Sequence, residues 1–122
     1  MATPQLLFNL AAIIHGLSVV GHTVEGFRTV HPAINTIQHN APRRTAGVCY
    51  DLVNAYITVT AFLNWRWART GGPKDTDEKA VFYTILIAGV LGGFRFYKAE
   101  VYPPLGSLWF ASLSSAAAYC VS

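Results

Sequence analysis

An all-α, integral membrane four-helix bundle with short loops is the fold class this sequence predicts. Three observations predict it. Hydrophobic residues make up 52% of the 122 and charged residues only 12%, with a mean hydropathy of +0.34, whereas a soluble domain carries about 25% charged residues. Four apolar runs each approach the roughly 20 residues that a spanning helix needs. The segments between them are short and rich in helix breakers or charge, which leaves room for one domain, residues 1–122, and no second one.

Residues 6–26 form the first span. The uncharged MATPQ before it has neither a basic region nor a small-residue cleavage site, so the run is expected to stay in the mature chain. Residues 44–65 form the second span, interrupted by Asp51, and residues 80–96 the third, flanked by Lys79 and Lys98. Pro103 and Pro104 open the fourth, at 104–121, because proline is tolerated in a first helical turn. Residues 31–43 hold Pro32, Asn35, Asn40 and Pro42 and read as a breaker-rich link. Residues 66–79 read as the solvated link, with Gly71, Gly72 and Pro73 at its turn. Asp75, Asp77 and Glu78 follow, where they complement the dipole of the third helix. Trp65, Trp67 and Tyr102 suit interfacial belts at helix ends.

The net charge of +3 is too small and too dispersed for nucleic acid, and the cations lie between apolar runs, where lipid headgroups meet them. The first and third connections hold Arg28, Arg43, Arg44, Arg95 and Lys98; the middle one holds Arg66, Arg69, Lys74 and Lys79. That balance sets no orientation by the positive-inside rule. Cys49 and Cys120 fall inside predicted helices and are expected as free, buried thiols rather than a disulfide. The closing YCVS has no lipidation or retrieval motif.

The chemistry-bearing residues form stripes. His15, Ser18, His22 and Glu25 share one face of the first helix, and Gly47, Asp51, Asn54 and Thr58 one face of the second, by the three-to-four-residue helical repeat. Ionisable groups are costly in hydrocarbon, so both stripes should face the bundle interior or a wet cavity. One reading is interhelical hydrogen bonding. Another places Glu25 among headgroups or beside Arg28. A third is an embedded site in which His22, Glu25 and Asp51 act as acid and base groups, with Asn54 orienting. No metal or other cofactor is expected. His15 and His22 stand about 10 Å apart along the axis, and His31 and His39 lack acidic or thiol partners at ligand spacing. Gly89, Gly92 and Gly93, then Ser107, Ala111 and Ser115, are small residues that let helices approach closely in lipid.

With these motifs in place, the sequence resembles the ergosterol biosynthetic protein 28 family, as a distant relative. Gly21, His22, Thr23, Phe27 and Arg28 match the end of that family's first span with one change. Arg44, Thr45, Gly47, Ala61 and Phe62 match its second span, and Phe96 and Glu100 a pair near the end of its third. Ala46 and Cys49 depart from its aromatic preference. The resemblance implies a non-catalytic scaffold of the endoplasmic reticulum membrane that tethers sterol C-4 demethylation enzymes. Its expected partners are membrane lipids and other integral membrane proteins, lipid-biosynthesis enzymes among them. GGFRFYKAEVYPPLG is similar to a helix junction of the transmembrane protein 14 family, which implies a small-lipid exporter instead. The competing class is a membrane-embedded isomerase or cyclase acting on a terpenoid or sterol-like substrate.

Overall fold

The computed structural model describes residues 3–122, and every regular element among them is helical. Helix α1 is the continuous stretch Thr3–Asn35, α2 is Asn40–Thr70 and α3 is Thr76–Lys98; all three are long and apolar enough to cross a membrane. The fourth helix, α4, opens as a π-helix at Gly106–Ala111 and continues as an α-helix through Ser112–Cys120. It reaches only about 20 Å, less than the roughly 30 Å of a hydrocarbon core.

The breaker-rich link is shorter than its composition suggests. Pro32 lies inside α1, directly after a π-helical turn at Gly26–Val30, which absorbs the missing proline donor. Pro42 is the third residue of α2, where an absent N–H costs no helical bond. Only residues 36–39 stay outside the helices.

The solvated link is shorter too, because α2 runs on to Thr70. There Gly71 (φ 76°) and Gly72 (φ 101°) both donate their N–H to the Trp67 carbonyl, a left-handed stop that favours glycine. Asp75 then caps α3 by accepting from the Glu78 N–H at 2.7 Å, while Glu78 accepts from the Lys74 N–H. This is a variant of the capping box, with the return bond taken from the residue before the cap. The α3 terminus lacks such a match. Glu100 takes φ 59°, and Val101 N–H reaches back to the Phe96 carbonyl. A side chain in that conformation costs about 1 kcal/mol, so Glu100→Gly should raise the melting temperature in detergent, and an unchanged value would contradict this account.

Helix α1 packs along α2 and α4, and α3 packs on α4. Helices α2 and α3 touch through Trp67 against Phe82, edge to face at 5.4 Å, and through the Arg66–Glu78 ion pair. Phe8, Trp67, Ala68, Phe82, Ile85 and Ala118 form the core cluster at this end. Trp67 is therefore fully buried rather than part of an interfacial belt, whereas Trp65 and Tyr102 are exposed. Both cysteines are free but lie exposed on the outer faces, not buried.

A Cβ added to Gly89 would sit 2.8 Å from the Leu108 carbonyl, and one on Gly93 would fall inside the Trp109 indole. The missing side chains are what let α3 and α4 meet. Gly72 lies beside Phe8 and Ser122, and Ser114 Oγ donates to the Leu7 carbonyl. The α2–α3 turn, the start of α1 and the end of α4 thus share one end of the bundle. The 36–39 link and the α3–α4 junction share the other.

Candidate functional site

The polar stripes meet at the second end, between α1 and α2. His22 Nδ1 and Asn54 Oδ1 lie 3.1 Å apart, a hydrogen bond in the tautomer that protonates Nδ1. The Tyr50 ring stacks on His22 at 4.0 Å and 15°, and its hydroxyl donates to the His22 carbonyl at 2.9 Å. That carbonyl precedes Gly26 by four residues, where the α-helical ladder shifts into the π-turn. The phenol thus binds the α1 backbone one turn before the π-turn. Gly26 is buried against this contact, since a Cβ there would stand 2.8 Å from the Tyr50 ring.

The same turn aims His31. On an unbroken α-helix, His22 and His31 would project about 180° apart. A π-turn takes up one extra residue, which swings His31 to within about 80° of His22. Side chains lean toward the N-terminus of their own helix, so on antiparallel α1 and α2 the two project toward each other. His31 Nε2 meets Asp51 Oδ1 at 3.1 Å, and the His31 ring stands edge-on to Tyr50.

Of the four residues singled out from sequence, His22 and Asn54 are brought together. Asp51 pairs with His31 and keeps 65% of its side chain exposed. Glu25 is exposed, and the ion pairs among the described residues are His31–Asp51 and Arg66–Glu78, so Glu25 forms none with Arg28. His31 and Tyr50 are the members that stripe reasoning missed. Pro32 was the available signal, because a proline inside a helix often marks a register change.

A second polar contact lies deeper in the bundle. Ser115 Oγ donates to Asn64 Oδ1 at 2.6 Å, and Asn64 Nδ2 donates to the Thr60 carbonyl. His15 is buried as well, with Nδ1 bonded to the Ala11 carbonyl. Among the described residues, no group of three or more His, Cys, Asp or Glu side chains is placed to hold a metal ion.

Two of the grooves on the bundle are apolar. One, of about 290 Å³, lies between α3 and α4 along Leu86, Val90, Leu108 and Trp109. The other, of about 350 Å³, lies between α2 and α3 along Tyr56, Val59, Leu63, Val81 and Ile85. His22, Glu25, Asp51 and Asn54 line neither of them. A hydrophobic molecule in either groove would meet none of these acid–base candidates.

Fold and site together define a small all-helical protein with three helices fit to cross a membrane, joined by hydrogen bonds between helices. No family model, curated protein or solved structure matches the chain.

Proposed function

We propose that the chain is an integral membrane protein whose four helices all cross the bilayer, with the bilayer thinned locally to match the shorter α4, and that it serves as a non-catalytic scaffold or assembly subunit. One observation carries this reading: His22 and Asn54, one from each stripe, bond to each other, and His22, Glu25, Asp51 and Asn54 line neither of the two apolar grooves described above. Contacts of this kind fix helix packing in lipid. The outer face supports the membrane setting, since Leu17, Val20, Phe27, Leu52, Phe62, Phe110 and Leu113 are all more than half exposed. A contiguous apolar exterior of this kind needs lipid or partner helices. The resemblance to the sterol C-4 demethylation tether points to the endoplasmic reticulum and to lipid-biosynthesis enzymes as partners.

The test is affinity capture of the tagged chain from cross-linked membranes. Co-purification of integral membrane enzymes of lipid metabolism is the expected result. A monomeric chain without partners in native membranes would overturn the reading.

One observation favours a second reading. The His31–Asp51 pair is open to the outside, and a histidine held by a carboxylate is a serviceable general base. On that reading the chain is a membrane-embedded isomerase or cyclase, and its substrate approaches from the lipid.

A further inference from the structure

We infer from the placement of charge on this fold that the chain inserts into its membrane in both orientations. The inference rests on the membrane reading above. The fold assigns every cation to an end. Arg66, Arg69, Lys74 and Lys79 lie at the end shared by the α2–α3 turn and the chain termini. Arg28, Arg43, Arg44, Arg95 and Lys98 lie at the other. The acids divide evenly, with Asp75, Asp77 and Glu78 at the first end and Glu25, Asp51 and Glu100 at the second.

Orientation of a small membrane protein follows the Lys and Arg bias of its short connections, and acids contribute little. All nine Lys and Arg residues lie close enough to helix ends to count, and they differ between the ends by a single charge. One cation near an anionic leaflet biases the two orientations by no more than about fivefold. No large soluble segment intervenes, because the links are residues 36–39, 71–75 and 99–105. The minority orientation should therefore hold at least about one molecule in six. Insertion both ways would present the His22–Asp51 end to both compartments.

The experiment uses the full chain with Cys49→Ala and Cys120→Ala, carrying either Thr36→Cys or Ser122→Cys. Sealed vesicles are treated with a membrane-impermeant maleimide before and after permeabilisation. A membrane protein of known single orientation in the same vesicles reports their sidedness. Both positions should label in part before permeabilisation and in full after it. Full labelling of one position with complete protection of the other would overturn the proposal. Asn35→Arg with Gln38→Arg adds two charges to one end, and Thr70→Arg with Thr76→Arg adds two to the other. Each pair should shift the ratio about thirtyfold, in opposite directions. A ratio indifferent to both pairs would also overturn it. Carbonate extraction separates the two levels of failure. Release of the chain would remove the membrane reading and this inference together, while retention with one-sided labelling would remove this inference alone.

Discussion

Gly93→Leu is expected to give no folded, monodisperse protein in detergent. Even the first carbon of a new side chain would overlap the Trp109 indole, and Gly89, one turn earlier, is packed just as closely on Leu108 and Ser112. Trp109 can turn away only by giving up its indole N–H bond to the Val90 carbonyl at 3.4 Å and its packing on Tyr97 at 5.7 Å. Relief comes from that loss or from moving α3 off α4. Overpacking usually costs about 1–3 kcal/mol where neighbours can adjust. Here an interface that depends on close backbone approach would be lost, against a total stability of about 5–15 kcal/mol. Gly16→Leu is the matched control, since a Cβ there meets nothing within 4 Å, and it should elute and melt like the parent. Removing the obstacle should restore part of the fold, so Gly93→Ala with Trp109→Ala should be more stable than Gly93→Ala alone, as expected for residues in contact. Size-exclusion profiles and melting temperatures of the set decide the matter. If Gly93→Leu matches Gly16→Leu, Gly93 faces lipid and the α3–α4 packing described above is wrong.

The small-residue faces of α3 and α4 were legible in the sequence because glycine and serine spacing carries its own steric meaning. Three apolar helices were legible for a similar reason, since hydropathy integrates over many residues. The polar site was only half legible. His22 and Asn54 could be placed opposite one another because both helices keep the α-helical repeat where they meet. His31 could not, because it follows the π-turn, and a stripe drawn at 3.6 residues per turn loses its register there. Pro32 and Pro42 looked like loop residues because composition does not show where in a helix a proline falls. Trp67 looked interfacial by its place at a helix end, but the Gly71–Gly72 stop turns the chain back so that Phe82 covers it. Hydropathy alone also misplaced the cysteines. In a bundle this small most apolar positions face outward, and Cys49 and Cys120 are among them.

Glu25→Gln and Asp51→Asn are expected to fold, and to keep every partner that the parent chain captures. Both changes preserve side-chain shape and most hydrogen-bonding capacity while removing an acid. Glu25 is exposed and forms no ion pair among the described residues. Asp51 contacts His31 from a largely exposed position. Hydrogen bonds between helices in membranes average only about 0.6 kcal/mol, and an exposed ion pair contributes about 0–1 kcal/mol. Neither loss threatens the fold. Chemistry is a different matter. If the His31–Asp51 pair moved protons on a substrate, the asparagine would still hold the ring but could not stabilise its charged form. The general acid–base contribution, typically about 10²–10⁴-fold in rate, would then largely disappear. His31→Gln should behave as Asp51→Asn does on either reading, because the two residues act as one pair. The measurement is therefore a paired one, membrane capture of partners alongside metabolite profiles of cells carrying each variant. Unchanged capture with unchanged metabolites is the scaffold result. If the folded variants keep their partners while one unconverted hydrophobic intermediate accumulates with both Asp51→Asn and His31→Gln, the scaffold reading fails, and the end of α1 after its π-turn is an active site.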